Sequence, residues 1–562
     1  MLRATRLKIH NFRSLKDVDV ELHPYSLLVG PNNSGKSNTL DAIRVFYEKG
    51  ITFDLEHDFP KFTTADNESW IEIVYSPNSE ELADLKEEYK LHGNTFCVRK
   101  YLKSEELDED KKPLSGIYAY VGGELSRSRF YGAKNVQQGK LGDIIYIPAV
   151  SKIDEHTKMS GPSALRELIN MVMKEVVTSS KPYGDLKNAF QTFAESVHNE
   201  ATAAGHSLAG IEHDVSGEIA NWGTKLLLSI NPISPDEVVK NLIDVKVFDS
   251  ALQCALDLSA FGDGFQRQLI FTLLKVSARY QAVPPRQTTR REFSPQLTWI
   301  LFEEPEAFLH LPQIEILDST LKSYAGREGN QVTISSHSPQ FASRSMEEIP
   351  SIIRVCREGT QTEAGQIKSS EIGAFFEANH QNLEKIKAAG VPIDTRDFQI
   401  EMQTIKYALW LNPLRCNSFF AGKVCLVEGP TESALFEYLV AQSKLHPPDG
   451  GIFFLDSFGK WNMDRFINLL GRMRIPHVVV YDKDTTDPKT TAIESSITSS
   501  KNQYTKAIDS FDKNLEAFLG IPQASEPHRK PQHVMWYLRQ DEIAPDRVQA
   551  LCSKIQALID AS

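Results

Sequence analysis

The chain has 562 residues, a formal net charge of −12 at pH 7 and a hydrophobic fraction of 41%. This length predicts about three domains, and the hydrophobic content excludes an intrinsically disordered protein. The negative charge excludes a general electrostatic attraction to nucleic acid, so any DNA contact requires a local basic surface or bound metal ions. The six cysteines form no C-x-x-C pair, which argues against a cysteine zinc cluster or a disulfide framework and for a reducing compartment.

The first ten residues, M-L-R-A-T-R-L-K-I-H, alternate in polarity and carry charge, unlike a signal peptide. No apolar stretch approaches the roughly 20 residues that a membrane span needs. We therefore expect a cytoplasmic protein with no membrane contact.

Alternating residues at 4–10 and 17–22 predict two half-buried strands, and a glycine-rich loop follows the short apolar run Ser26–Val29. Gly30 to Ser37 reads G-P-N-N-S-G-K-S, which fits the phosphate-binding pattern G-x-x-x-x-G-K-[ST] at every fixed position. In such a loop backbone N–H groups surround phosphate, the lysine reaches the β- and γ-phosphates, and the last hydroxyl binds Mg²⁺. A chance glycine loop is the alternative, but the strand before it and the helical pattern after it disfavour that interpretation. The predicted nucleotide-binding residues are Gly30, Asn32, Asn33, Ser34, Gly35, Lys36, Ser37 and Asn38, with Ser37 also on the metal.

Apolar residues at three- and four-residue spacing between 163 and 223 predict a run of helices among the strands. We interpret 155–222 as a helical insertion and a dimerisation surface, although it could equally pack on its own domain. Residues 1–154 and 223–400 are predicted to form the two parts of an ATPase head, with the insertion 155–222 between them. Residues 401–562 are predicted to form a second α/β domain.

Two later segments complete the predicted ATP site. Residues 297–310, L-T-W-I-L-F-E-E-P-E-A-F-L-H, read as a buried strand that ends in two acids. Glu303 would hold the Mg²⁺ shell, and Glu304 would polarise the water that attacks the γ-phosphate. His337 follows the strand-like residues 331–335 and would contact the γ-phosphate.

The second half of the chain carries its own group of acids. The apolar run Lys423–Val427 ends at Glu428, and residues 476–484 end in D-K-D, with acids at Asp482 and Asp484. Alternating strands and helices predict a parallel sheet whose carboxyl edge collects ligands. Glu428, Asp482 and Asp484 would converge there on a hard divalent cation such as Mg²⁺.

Four motifs together resemble the ATPase heads of the OLD (overcoming lysogenisation defect) family: N-F-R-S at 11–14, G-P-N-N-S-G-K-S, F-E-E-P-E-A-F-L-H and S-S-H-S-P. Three further motifs resemble a Toprim domain: L-V-E-G-P-T-E at 426–432, the G-K corner at 459–460 and D-K-D. The resemblance implies an α/β fold: an ABC/SMC-like P-loop ATPase with a helical dimerisation insertion, followed by a Toprim Rossmann-like domain.

The resemblance also implies further roles. The segment around Ser259, Gly262 and Gly264 is similar to the signature motif of ABC-type ATPases, without the usual paired glycines, and would contact ATP bound by an opposite subunit. Glu432 and Glu516 would lie near a second metal, and Lys530 would neutralise charge on the scissile phosphate. Two sequence departures stand out: Glu303 occupies a position where many P-loop enzymes have Asp, and Trp461 one where the family often has Ser.

The implied function is an ATP-regulated, divalent-metal-dependent DNA endonuclease in antiphage defence, which nicks DNA or cuts both strands. ATP and Mg²⁺ are the expected cofactors, with Mn²⁺ or Ca²⁺ as alternatives at the nuclease site. The expected partners are DNA, a second copy of the chain in a homodimer or homotetramer, and a helicase or reverse transcriptase with a small nucleic acid encoded alongside. The alternatives are an ATP-gated DNA-binding scaffold without nuclease activity and a primase- or topoisomerase-like use of the Toprim fold, although no segment supplies a topoisomerase tyrosine domain.

Overall fold

The computed structural model describes residues 1–108, 111–132, 141–149, 181–220, 223–228, 246–262, 297–483 and 488–562, and isolated positions between 264 and 295. The chain divides into two compact units: the first is made of Met1–Ala149 and Arg290–Ser562, and the second is Val150–Thr289. Asp484 and residues 155–180 of the predicted insertion lie outside the described residues.

The strands are β1 (Arg3–Phe12), β2 (Leu15–Glu21), β3 (Tyr25–Val29), β4 (Ser69–Ser76), β5 (Phe96–Lys103), β6 (Gly116–Val121), β7 (Glu124–Arg129), β8 (Asp143–Ile147), β9 (Lys246–Asp249), β10 (Cys254–Asp257), β11 (Thr298–Glu303), β12 (Asn330–Ser335), β13 (Ile352–Glu358), β14 (Gln361–Gly365), β15 (Lys423–Val427), β16 (Ile452–Asp456), β17 (His477–Asp482) and β18 (Thr505–Phe511). The helices are α1 (Lys36–Tyr47), α2 (Leu55–Asp58), α3 (Ser79–Asp84), α4 (Lys181–Asn199), α5 (Leu208–Glu218), α6 (Leu311–Ala325), α7 (Pro339–Arg344), α8 (Ile372–Ala388), α9 (Ile400–Trp410), α10 (Pro413–Cys416), α11 (Pro430–Ala441), α12 (Met463–Arg472), α13 (Pro488–Ser499), α14 (Leu515–Leu519), α15 (Lys530–Arg539) and α16 (Pro545–Asp560).

The first unit contains a large mixed sheet in the order β7-β6-β5-β4-β1-β2-β14-β13-β3-β12-β11-β8. From β7 to β2 neighbouring strands are antiparallel, whereas β13, β3, β12, β11 and β8 run parallel. All five residues of β3 are buried, as is typical of a central parallel strand covered on both faces. Helix α1 packs against this part of the sheet through buried side chains such as Leu40, Ile43 and Phe46.

A second, four-stranded sheet in the same unit has the order β16-β15-β17-β18, and every neighbouring pair is parallel. All six residues of β17 are buried. An apolar core that includes Val427, Leu435 and Val480 lies between β15, β17 and α11. Parallel strands joined by helices put their carboxyl ends on one edge, which is where α/β proteins bind ligands.

These sheets confirm the α/β fold class and the strands predicted at 4–10, 17–22, 26–29, 423–427 and 476–482. The apolar run at 225–230 also has the sequence pattern of a strand, but this prediction is wrong for its described part, because residues 225–228 are irregular. In the second unit, the described residues include α4, α5 and the hairpin of β9 and β10. The predicted domain boundaries and the dimerisation role of the insertion stay predictions. Among the helices in the described parts, none is both long and apolar enough to cross a membrane.

The first prediction concerns Gly30, whose φ is +143° and where an added Cβ would lie 2.0 Å from the carbonyl oxygen of Val355. Gly30→Ala must therefore displace the phosphate loop from β13, at a cost of about 1–3 kcal/mol. We expect a lower midpoint in urea unfolding and loss of ATP binding. The matched control is Gly373→Ala on α8, where nothing lies within 4 Å of an added Cβ. Wild-type ATP affinity in Gly30→Ala would contradict the prediction.

Candidate nucleotide and metal sites

The predicted ATP-site residues meet at the carboxyl edge of the large sheet because three strands align there in parallel. Strand β12 lies between β3 and β11, with Ser335 paired to Leu28 on one side and to Glu303 on the other. The phosphate loop leaves β3, the acidic pair ends β11, and His337 follows β12. Residues that are far apart in sequence are therefore adjacent in the fold.

The phosphate loop has the backbone geometry that its glycines predict. Gly35 precedes α1 with φ of +108°, a left-handed conformation that favours glycine. An added Cβ at this position would lie 2.6 Å from the Thr362 hydroxyl oxygen. The amino end of α1 therefore opens toward the loop, and its free N–H groups and partial positive charge suit a phosphate. Asn32 and Asn33 are exposed at the tip of the loop.

Lys36 lies beneath this loop. Its Nζ donates hydrogen bonds to the carbonyl oxygens of Gly30 (2.9 Å) and Pro31 (2.8 Å). Burial lowers the pKa of Lys36 to about 8, although the nearby carboxylates of Glu304, Glu306 and Glu303 act in the opposite direction. A bound triphosphate would add negative charge beside the ammonium and favour its protonated form.

Glu303 is held by two hydroxyl groups. Ser37 Oγ donates to one carboxylate oxygen of Glu303, and the Tyr146 hydroxyl donates to the other at 2.7 Å. The structure thus brings together the two side chains that the sequence assigned to the Mg²⁺ of the nucleotide. Tyr146 is a neighbour that the sequence analysis missed, since a tyrosine on a buried strand has no distinguishing pattern.

Glu304 and His337 form the other half of the site. Glu304 has a φ of +43°, unusual for a residue other than glycine, and its N–H donates to the Ser335 carbonyl at 2.8 Å. His337 Nε2 lies 3.6 Å from Glu304 Oε1. The backbone N–H of His337 donates to Glu306 Oε1 at 2.6 Å. Burial and the charge of Lys36 lower the pKa of His337, which favours the neutral imidazole with one N–H donor.

A hydroxyl network fixes the loop from behind. Thr362 Oγ1 lies 2.9 Å from the Ser34 carbonyl oxygen and 2.8 Å from Ser14 Oγ. Asn38 donates to Ser14 Oγ at 2.9 Å and accepts from Arg13 at 3.2 Å. The N-F-R-S segment therefore supports the phosphate loop through Asn38. Thr362 lies more than 300 positions away from Ser34, on the hairpin of β13 and β14, and no sequence signal pointed to it.

The second group of acids lies at the carboxyl edge of the four-stranded sheet. Glu428 follows β15 and Asp482 ends β17, and the N–H of Asp482 lies 3.4 Å from Glu428 Oε2. Lys460, in the G-K corner, donates to the Asp482 carbonyl at 2.7 Å. The N–H of Gly459 donates to the Glu428 carbonyl at 2.7 Å. These two hydrogen bonds hold the backbone at Glu428 and at Asp482. Trp461, beside the corner, is partly exposed.

Lys530, the first residue of α15, joins three carboxylates at this edge. Its Nζ lies 3.1 Å from Asp482 Oδ2, 3.3 Å from Glu516 Oε2 and 3.5 Å from Glu432 Oε1. Each acid side chain is only 5% exposed, and together they raise the pKa of Lys530. Burial raises the pKa of Glu432. Helix caps hold two of the acids in place: Glu432 accepts from the Gly429 N–H, and Asn514 caps the helix that carries Glu516.

The charge and chemistry of these residues fit a hard divalent cation. Three buried carboxylates surround Lys530, Glu428 lies nearby, and carboxylate oxygens are preferred ligands of Mg²⁺. Within the described ranges, no cluster of three or more His, Cys, Asp or Glu side chains has metal-site spacing, and Asp484 lies outside them. Lys530 therefore provides the positive charge among the acids, and a bound cation would share or replace that role.

The ATPase signature-like residues lie in the second unit. Ser259 is in a short 3₁₀ turn, Leu258–Ala260, whereas Gly262 lies in a loop and Gly264 in a helical segment. Their contact with ATP of an opposite subunit stays a prediction, and so do the individual roles of the residues in both sites.

Sequence comparisons agree with these two sites. The family model described as AAA ATPase domain matches residues 4–95 and 80–342, more than half of the chain. The model described as overcoming lysogenization defect protein-like, TOPRIM domain matches residues 419–484, which include Glu428, Glu432 and Asp482. The chain belongs to the AAA ATPase-domain family and carries an OLD-like TOPRIM domain.

Three curated relatives are similar over most of the chain. The Old nuclease of Escherichia phage P2 is 23% identical over 486 residues, which cover 84% of this chain and 76% of the relative. The OLD nuclease of Thermus scotoductus is 21% identical over 499 residues, 85% and 81% of the two chains. Endonuclease GajA of Bacillus cereus is 21% identical over 512 residues, 86% and 75% of the two chains.

The second prediction follows from the pKa of Lys36, which burial lowers to about 8. Only the charged lysine attracts the triphosphate, so ATP affinity is full below pH 8 and falls as the pH rises through it. We expect the Kd for Mg²⁺-ATP to rise about tenfold between pH 7 and pH 9, measured by titration calorimetry. Lys36→Arg is the control, since arginine stays charged throughout; an equal change in both proteins would contradict the prediction.

The third prediction concerns Lys530→Met, which removes the ammonium from three buried carboxylates. Burial already raises the pKa of Glu432, and Lys530 opposes that shift. Without the lysine the pKa of Glu432 rises further above its unfolded value, so the lost stability is largest at high pH and recovers as this acid protonates. We expect a loss of about 3 kcal/mol at pH 8 in urea unfolding and a smaller loss at pH 5.

Mn²⁺ should restore more stability to Lys530→Met than it adds to wild type, because the cation replaces the missing positive charge. The matched control is Lys554→Met, which removes an ion pair with the more exposed Asp509 and should cost less than about 1 kcal/mol at any pH. Equal losses in the two variants, or no additional stabilisation by Mn²⁺, would contradict the assignment of this cluster.

Proposed function

We propose that this OLD-family endonuclease cleaves DNA at the Toprim edge with divalent metal, and that ATP bound at the large sheet controls the cleavage. The observation that supports this most strongly is the convergence of Asp482, Glu432 and Glu516 on Lys530. Buried acids gathered around one lysine are costly for stability, so the cluster indicates a functional rather than a structural site.

At the nuclease site, Glu428, Asp482 and Asp484 would hold a first metal, with Glu432 and Glu516 near a second. When bound, Mg²⁺ or Mn²⁺ supplies a polarised water and charge neutralisation at the scissile phosphate. Lys530 would orient the acids in the free enzyme and donate a charged hydrogen bond to the phosphate in the transition state. Lys460 would keep the end of β17 in place through its bond to the Asp482 carbonyl.

At the ATPase site, Lys36 and the amino end of α1 would bind the phosphates, while Ser37 and Glu303 would hold their metal. Glu304 would orient the attacking water, and neutral His337 would donate to the γ-phosphate. The close contact of Ser37 with Glu303 and of Glu304 with His337 supports this division of labour. Glu303 is longer than an aspartate, which favours a metal contact through water.

Curated relatives named as nucleases and an endonuclease support a nuclease, and the resemblance to the OLD family leads us to propose antiphage defence. Assembly as a homodimer or homotetramer, and a helicase or reverse transcriptase with a small nucleic acid as partner, belong to the same proposal. An ATP-gated DNA-binding scaffold remains the second candidate function, because the head alone accounts for nucleotide binding. The buried acids around Lys530 favour the nuclease.

The fourth prediction tests the nuclease in a plasmid-nicking assay with Mg²⁺ or Mn²⁺. Asp482→Asn keeps the shape of the side chain but removes a negative charge, and should lower the cleavage rate at least about a hundredfold. ATP binding should be unchanged, because Lys36 begins α1 at the edge of the other sheet. The matched control is Asp509→Asn on the neighbouring strand β18, which should cleave at the wild-type rate. Cleavage at the wild-type rate by Asp482→Asn would contradict the nuclease assignment. A wild-type protein that binds DNA but does not cleave it would favour the scaffold.

The fifth prediction concerns the control by ATP. We propose that bound ATP holds the nuclease off, so that nucleotide depletion during infection releases it. Glu304→Gln, which keeps ATP bound but hydrolyses it slowly, should then be inhibited at lower ATP than wild type, whereas Lys36→Ala should be insensitive. Plasmid cleavage across an ATP titration at fixed free Mg²⁺ measures this, since ATP also chelates the metal. A rise with ATP would reverse the sign, and a flat response would remove the coupling.

A further inference from the structure

Arg354 is a buried arginine beside the phosphate loop. It lies on β13 with 2% of its surface exposed, and the sheet register pairs it with Val29, the residue before Gly30. Its guanidinium donates to four backbone carbonyl oxygens, those of Phe419 at 3.0 Å, Ala421 at 3.3 Å, Met473 at 3.4 Å and Arg474 at 2.8 Å. None of these acceptors is a carboxylate, so the arginine acts as a backbone clamp rather than as half of an ion pair.

The four carbonyl groups belong to the entrances of the two strands that lead to the nuclease acids. Phe419 and Ala421 come just before β15, which ends beside Glu428, and Met473 and Arg474 come before β17, which ends in Asp482. Strands β15 and β17 are paired neighbours. One side chain from the large sheet therefore fixes both strands of the second sheet that carry these acids.

The energetics make this clamp rigid. A buried guanidinium is costly unless its donors are satisfied, so loosening any of the four bonds would leave a charged donor without compensation. The contact around it is also tight, because a Cβ added to Gly365 on β14 would lie 2.7 Å from the Met473 carbonyl. Arg474 adds ion pairs to Glu363 at 3.0 Å and to Glu358 at 3.4 Å.

Phe420 connects the clamp to the nucleotide site. It lies between Phe419 and Ala421, whose carbonyl groups bind Arg354, and its ring centroid is 6.4 Å from that of His337. His337 in turn lies 3.6 Å from Glu304. The segment 419–421 thus contacts the candidate γ-phosphate residue on one side and leads directly into β15 on the other.

We propose that Arg354 and Phe420 are positioning residues that transmit the nucleotide state of the large sheet to the Toprim acids. This inference rests on the proposed function for its biological consequence. A different position of His337 in the ATP-bound state displaces Phe420, and the rigid clamp carries that displacement to β15 and β17 together, and so to Glu428 and Asp482. Coupling of this kind requires contacts that differ between two states, and the contact of Phe420 with His337 is the one that nucleotide can change.

Hydrogen–deuterium exchange of residues 419–427 tests the inference without any need for cleavage. In wild type, a non-hydrolysable ATP analogue should change the exchange rates of this segment about fivefold or more. Phe420→Ala should abolish that change while the affinity for the analogue stays within about twofold. The matched control is Phe398→Ala, which removes a similar contact with His380 at 5.7 Å between centroids. The control should keep the response.

Arg354→Lys is the second variant, because a lysine retains the charge but cannot supply the planar set of donors to four carbonyls. It should lose the exchange response and the effect of ATP on plasmid cleavage, with ATP binding retained. If it fails to fold, Phe420→Ala alone decides. A response of wild-type size in Phe420→Ala, or none in wild type, would overturn the inference. Failure of the proposed nuclease activity would appear separately, as wild type that shows the exchange response but leaves plasmid uncut.

Discussion

Both candidate sites depend on the parallel pairing of neighbouring strands, which brings the ends of distant segments to one edge of a sheet. In the large sheet, the pairing of β12 with β3 and β11 places the phosphate loop, the acidic pair and His337 side by side. In the smaller sheet, the pairing of β15 with β17 places Glu428 next to Asp482. A shift of register by one residue would turn these groups to the opposite face.

Charge compensation distinguishes the two edges. At the nucleotide site a buried lysine lies among acids, and its pKa is lowered because desolvation outweighs their attraction. At the nuclease site the balance is reversed: three acids surround Lys530, and their attraction raises its pKa despite burial. The first arrangement suits an anionic ligand, and the second suits a cation. The same elementary electrostatics thus separates a triphosphate site from a metal site within one chain.

The two edges are connected by a specific set of contacts within the first unit. The four carbonyl bonds of Arg354 and the packing of α8 and α9 against α12 join the ATPase sheet to the Toprim sheet. For example, Asn379 accepts from Asn468, and the Tyr407 hydroxyl donates to the Arg465 carbonyl. A buried polar group that loses its hydrogen-bond partner destabilises the fold, so these contacts favour a defined arrangement of the two sheets. A nucleotide-dependent enzyme needs this kind of connection if one site is to influence the other.

The sequence by itself determined the class of fold, the phosphate loop and the principal acids, because each rests on local patterns. A glycine loop between a strand and a helix, or an apolar run that ends in acids, can be recognised without knowing its neighbours. It also identified Lys530 and Glu516, but only through the family resemblance, since a lone lysine and a lone glutamate have no local signature.

Only the tertiary structure decided which side chains support these groups. Tyr146 on Glu303, Thr362 behind the phosphate loop and Arg354 between the sheets act across large sequence separations. Their residue types are ordinary for buried strands and turns, so no periodicity or spacing marks them. Contacts of this kind arise from the order of strands in a sheet, and that order is a property of the folded chain rather than of any segment within it.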